Sequence, residues 1–364
     1  MHSLLSSKPR NYTVQQKVKY RLGQVGTKLL GAVAPDHQAE LPREYNFDAH
    51  VFHSQFASTH YGVMIPDLPE PYRYLSYASV IGDVGAKITK VSPKLTDLEP
   101  ENTATLVHGT ALSETKDAYK IYDIEHQLKF QQSPFRIDFA EDSSLYEEDG
   151  KYRLVSNSDD LKVDLILTPT DALTWFSHSS LYQHFSVLMK YRGSLTQKGE
   201  IVKVSGLCTL EHWKSISVSM LPKQLLMHNL TLPLSSFSYQ VINLNAEEQL
   251  VLAFIGFAGE PAYTAVSYRH VDGTSIQYDQ ADFDVVALKT DPLMTPDGHV
   301  MEVPQSFRWV AHHAGEKVLE ILAVVDTPYC YGLAAGYVTS YQWTGEFKGR
   351  KTEGRGYLEF IDRR

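Results

Sequence analysis

The stretch Gly206-Leu-Cys-Thr-Leu-Glu-His-Trp213 returns in altered form near the C-terminus as Gly354-Arg-Gly-Tyr-Leu-Glu-Phe-Ile361. Both copies read Gly-x-x-x-Leu-Glu, and the offset between them is 148 residues (354 − 206), close to half the chain. Each follows a polar, glycine-bounded stretch of hairpin character, Tyr191–Gly199 before the first and Trp343–Gly349 before the second. A repeat at a fixed offset predicts two similar lobes, each closed by an equivalent last strand.

The rest of the chain supports that division. Leu161-Lys-Val-Asp-Leu-Ile-Leu167 places Leu161, Val163, Leu165 and Leu167 on one face, the period of a half-buried strand. Tyr122, Ile124, His126, Leu128 and Phe130 alternate with Asp123, Glu125, Gln127 and Lys129, which predicts another strand with His126 on its apolar face. Turn chemistry recurs at Glu148-Asp-Gly150, Val271-Asp-Gly-Thr274 and Pro296-Asp-Gly298. Many short strands between such turns predict an all-β fold of two antiparallel barrels or sandwiches in tandem. The expected divisions are an N-terminal arm at 1–45, a first lobe at 46–220 and a second at 221–364, with Leu221–Leu232 as the connection.

Charge and composition narrow the function. The first 33 residues carry six Lys and Arg and no acid, so the remainder holds −15 of the net −9. Val18, Leu22, Val25, Leu29 and Val33 recur at helical spacing. This basic amphipathic arm, 1–33, predicts either peripheral membrane contact or packing on the chain's own acidic body. That acidic body argues against nucleic acid, which demands clustered positive charge. Two cysteines, Cys208 and Cys330, form no disulfide framework, and neither a long apolar run nor a signal core is evident, which together suggest a cytoplasmic protein. No phosphate loop, dinucleotide fingerprint, nucleophile elbow or metal-ligand spacing is present, so neither cofactor nor metal is expected. The 22 tyrosines suit an aromatic pocket for a hydrophobic small molecule, and they suit ordinary sheet propensity equally well.

The two Gly-x-x-x-Leu-Glu endings, the first continuing as Glu211-His212-Trp213, resemble the ends of the two lobes in the lipocalin-like family of bacterial carotenoid hydratases. The broader superfamily includes fungal Diels–Alderases and, more distantly, tocopherol-cyclase-like proteins. Thr59-His-Tyr-Gly-Val-Met-Ile-Pro-Asp-Leu-Pro-Glu-Pro-Tyr-Arg-Tyr-Leu-Ser76 is similar to a signature of a bacterial branch of it without an assigned reaction. The resemblance implies two lipocalin-like (calycin-type) halves and an apolar ligand held in a lobe or between lobes. It also implies that Glu211, His212 and Trp213 line the central cavity, although neighbours on a strand face opposite ways and only one set can do so.

Two functions follow as expectations. One is a binding or carrier protein for a lipid, terpenoid or polyketide. The other is a cofactor-independent isomerase, hydratase or cyclase in which a desolvated Glu211 is the general acid. His60, Tyr61, His126, His212, Trp213 and Glu359 are candidate lining residues. The stiff Pro66-Asp-Leu-Pro-Glu-Pro71 loop would set Asp67, Tyr72, Arg73 and Tyr77 at the entrance, or form a rigid corner.

Overall fold

A computed structural model describes residues 55–217 and 232–364 without a break, together with 5–7, 15, 17, 19–21, 23, 25, 32–33, 38 and 40–49. Most of the Leu221–Leu232 connection lies outside the described residues, as do Val18, Leu22 and Leu29 of the arm.

The first sheet holds β1 (Ser58–Ile65), β2 (Leu75–Gly82), β3 (Thr103–Gly109), β4 (Tyr119–Asp123), β5 (Leu128–Gln131), β6 (Arg136–Phe139), β7 (Ser143–Glu148), β8 (Lys151–Asn157), β9 (Leu161–His178), β10 (Tyr182–Gln197) and β11 (Glu200–Ser215). The second holds β12 (Leu234–Asn243), β13 (Glu248–Phe257), β14 (Glu260–His270), β15 (Ser275–Gln277) and β16 (Gln280–Leu288). After the small pair β17 (Leu293–Met294) and β18 (Val300–Met301), it continues with β19 (Pro304–His313), β20 (Glu316–Val325), β21 (Cys330–Leu333), β22 (Gly336–Phe347) and β23 (Arg350–Asp362). All ladders are antiparallel. The orders are β4-β3-β2-β1-β11-β10-β9-β8-β7-β6-β5 and β15-β14-β13-β12-β23-β22-β20-β19-β16, with β21 on β22.

The duplicated motif therefore occupies equivalent places. β11 closes the first sheet by pairing with its opening strand β1, and β23 closes the second by pairing with β12. Each closing strand follows a hairpin turned by the same dipeptide, Lys198-Gly199 and Lys348-Gly349, with positive φ at all four residues. Two consecutive positive φ values mark the tight turn whose twist matches the flanking strands, and glycine at the second position adopts it without a Cβ penalty.

Each lobe has its own core. Val63, Phe139, Leu145, Leu165 and Met189 pack inside the first, and Phe254, Phe283, Phe307, Trp309 and Trp343 inside the second. Many tyrosines prove to be core pieces rather than pocket lining: Tyr77 contacts Phe139 inside lobe one, and Tyr341 contacts Phe307 inside lobe two.

One predicted strand is interrupted. Ile124–Gln127 forms a single helical turn between β4 and β5, because the Asp123 carboxylate accepts from the His126 backbone N–H and caps it. His126 consequently stands in solvent, its side chain 73% exposed and paired with Asp123 at 3.0 Å, and is not a core or lining residue.

The described positions between 15 and 25 are helical. The arm contacts both lobes: Ser7 N–H donates to the Phe283 carbonyl at 2.7 Å and Val33 N–H to the Phe176 carbonyl at 3.0 Å. No helix among the described residues is long and apolar enough to cross a membrane.

Candidate functional site

Alternation along the closing strand divides the Glu211-His212-Trp213 triplet. His212 turns into lobe one, stacked on Tyr61 at 4.9 Å, with its Nδ1 bonded to the His60 carbonyl at 2.8 Å. Glu211 and Trp213 turn the other way, toward lobe two. Register then decides their company. His60 and His184 both lie opposite Trp213, while Gly62 and Ser186 lie opposite Glu211, so three adjacent strands present one polar row to the second lobe.

Lobe two answers with its own closing strand. Glu359 of β23, opposite Tyr239 of β12, reaches the same space. Both glutamates are buried, 3% and 2% exposed, and both line a cavity of about 130 Å³ between the lobes. His60, Tyr182, His184 and Trp213 complete its polar and aromatic wall. Val84, Ile88, Leu234, Phe237, Ile255 and Ile361 supply the apolar remainder.

The two carboxyl groups live in different fields. Glu211 Oε1 accepts from His184 Nε2 at 2.6 Å, and His60 Nε2 stands 3.8 Å from the same oxygen. Burial by itself would raise the Glu211 pKa, but the charge and hydrogen bond of His184, with help from His60 and Tyr239, hold it below the usual carboxylate value. Oε2 makes no hydrogen bond of ordinary geometry among the described residues, although the Tyr239 hydroxyl is near enough to favour the ionised form. Glu359 has no such support. Its carboxyl is pushed well above the ordinary range, first by burial and then by the negative charge of Glu211, against a single hydrogen bond from the Tyr357 hydroxyl at 3.0 Å.

The surrounding groups fix orientation. His60 donates from Nδ1 to the Ser79 carbonyl, which leaves Nε2 facing the cavity, and burial drives its pKa down to about 4. Its ring lies parallel to the Trp213 indole, 5.6 Å away. Gly62 makes this placement possible, since a Cβ there would come within 2.9 Å of His60 Nε2. The Tyr182 hydroxyl bonds His184 Nδ1 at 3.0 Å, giving a Tyr182–His184–Glu211 relay. Beyond it, the fully buried Arg269 of lobe two donates to Ser186 Oγ at 2.9 Å. Burial lowers the Arg269 pKa to about 10, while Tyr239 and Glu211 hold it up.

The remaining sequence candidates lie elsewhere. Tyr61, Tyr72 and Tyr77 belong to the core of lobe one. Tyr61 donates its hydroxyl to the Phe47 carbonyl at 2.7 Å. Asp67 is exposed. Arg73, in a left-handed backbone conformation, pairs with Glu70 at 2.7 Å and with Asp326 of lobe two, while Glu70 also pairs with Arg355 at 2.6 Å. Glu70 and the following Arg73 thus tie the proline-rich loop to lobe two, and none of its residues lines the cavity. Sequence reasoning missed Tyr182 and His184. Their signal was a Tyr-x-His pattern sharing one strand face, but only the β10–β11 register brings that face to Glu211. Among the described residues no group of three or more His, Cys, Asp or Glu is arranged to hold a metal ion.

Two tandem antiparallel sheets closed by equivalent strands around a shared cavity define a two-lobed, lipocalin-like all-β protein. The chain belongs to a family of unknown function, DUF6670, whose model matches residues 78–364. No curated protein matches it significantly in sequence. Among solved structures it is similar to a Nitrosomonas europaea protein given the name AttH, at 16% identity and a TM-score of 0.59, over 92% of this chain and 99% of that one. CghA solved with Sch210972 is a more distant likeness, at 8% identity and a TM-score of 0.44 over 88% and 93% of the two chains, too slight to bear on the site.

Proposed function

We propose that the interlobe cavity binds the apolar part of a small molecule and moves a proton on it without a cofactor, as an isomerase, hydratase or cyclase does. Glu359, kept protonated by burial, is the general acid; Glu211, kept ionised by His184, is the base. This reverses the role that burial alone would suggest for Glu211. The observation that carries the reading is the opposite displacement of two equivalent carboxyl groups in one largely apolar cavity. Pairs of titratable groups whose surroundings push their pKa values apart divide acid and base roles in this way. A simple carrier has no need of two buried carboxyl groups, each of which is costly to desolvate.

The test begins with native mass spectrometry of the purified protein and extraction of any bound lipophile. That molecule is then incubated with the protein in D2O. Deuterium uptake by the ligand, lost in both Glu359→Gln and Glu211→Gln, supports the proton-transfer reading. A tightly bound lipophile that exchanges no hydrogen, in the wild-type protein as in the variants, identifies a carrier and overturns it.

A further inference from the structure

The interlobe cavity is too small for a whole ligand. About 130 Å³ accepts one ring or a short branched chain, whereas small-molecule sites commonly enclose roughly 300–1,000 Å³. A complete substrate must therefore extend past a wall, and one wall is thin. The segment between β2 and β3 makes a turn at Ala86–Lys90, in which the backbone N–H groups of Thr89 and Lys90 both donate to the Ala86 carbonyl at 3.1 Å. Val84, Ala86 and Ile88 face the cavity from this segment. On its other side lies a second hollow of about 350 Å³, and Val80 and Thr89 line both.

The two hollows differ in chemistry. The outer one is lined by Asp83, Asp97 and Glu99 against the single cation Lys90, with the hydroxyl-bearing Thr96 and Thr103 between them. Nearby Lys94 is engaged with the Asp297 carbonyl of lobe two at 2.8 Å. The turn itself is tied to lobe two through Leu232 N–H on the Gly85 carbonyl at 2.8 Å and Ala335 N–H on the Ile88 carbonyl at 3.3 Å. An apolar inner space adjoining an acidic, hydroxyl-bearing outer one matches a molecule with one greasy end and one hydrogen-bond-donating end. We infer that the groove outside the Ala86–Lys90 turn is the second half of the binding site, taking the hydroxyl or ammonium end of an elongated amphiphile whose apolar end fills the interlobe cavity. The inference rests on the reading of that cavity as a ligand site. Chain length and head-group charge would then select substrates, and a carboxylate-headed lipid would be refused by Asp83, Asp97 and Glu99.

Calorimetric titration with three probes tests this: toluene, sized for the inner cavity alone, and octylamine and octanoate, equal in chain length and opposite in charge. The wild-type protein is expected to bind octylamine at least tenfold more tightly than octanoate. The exposed double variant Asp97→Lys/Glu99→Lys should erase or invert that preference, each reversed charge shifting affinity roughly several-fold at near-contact distances in water, and should leave toluene binding unchanged. Toluene binding combined with equal octylamine and octanoate affinities, or with a preference that survives the double variant, overturns the second half-site alone. Failure of toluene to bind the wild-type protein overturns the inner cavity as a ligand site and this inference with it.

Discussion

Glu211 and Glu359 arise from the same repeated motif, sit at the same place in equivalent closing strands and are equally buried, yet their surroundings push their pKa values in opposite directions. What differs is the neighbouring strand. In lobe one, β10 contributes His184, whose Nε2 donates to the Glu211 carboxylate, and β1 places the His60 ring 3.8 Å from the same oxygen. In lobe two, Val338 stands opposite Glu359 on β22, and the hydrogen bond comes from Tyr357, a neutral phenol on Glu359's own strand. The repeated motif places one acid in each closing strand, and the residues on the flanking strands make the two unlike. Burial, which the two share, raises both carboxyl groups, and what separates them is whether cross-strand partners offset it.

The contrast predicts a pH profile, which should show the largest effect. His60 falls from an ordinary 6.5 to about 4 on folding, so the native state binds fewer protons between those values. Its contribution is present above pH 6.5 and is lost as pH falls through 4, in total about 3 kcal/mol at 1.36 kcal/mol per unit. His108, buried in lobe one between the Ser76 carbonyl and Ser156 and also lowered to about 4, adds to the same limb. Glu359 acts with the opposite sign, because its raised pKa makes the native state bind more protons above 4.5 and stability declines as pH rises above that value. Urea midpoints measured from pH 4 to 8 should show His60→Gln flattening the acid limb and Glu359→Gln removing the decline on the other side.

The paired substitutions come next in size. Glu211→Gln should cost about 2 kcal/mol at neutral pH, since it replaces an ionised acceptor of a buried histidine. Glu359→Gln exchanges one neutral group for another of the same shape and should cost less than about 1 kcal/mol. Equal losses in chemical denaturation would break the comparison. The smallest effect belongs to His126, where alanine should leave the thermal midpoint unchanged because its pair with Asp123 is solvent-exposed.

The sequence made the closing strands and the two acids legible because their motif repeats and because a period of two is a local property. The partners of Glu211 were not legible in the same way. His184 lies 27 residues from Glu211 and meets it only through the long β10–β11 hairpin, whose register is fixed by the Lys198-Gly199 turn. His126 was misplaced for a local reason, since the capping capacity of Asp123 outweighed a good alternating pattern. The stiffness of the Pro66–Pro71 loop was readable, but Glu70 and Arg73 have their partners Arg355 and Asp326 in the other lobe, more than two hundred residues away.

The central claim is that one of two equivalent glutamates is protonated at neutral pH and the other is not. Infrared spectroscopy of the protein with 13C-labelled glutamate carboxyl groups reads it directly through the C=O stretch of a protonated, buried carboxylic acid. The account predicts that this band is present at pH 7 in the wild-type protein and in Glu211→Gln, and absent in Glu359→Gln. A band that disappears in Glu211→Gln and persists in Glu359→Gln, or no band in the wild-type protein, would contradict it.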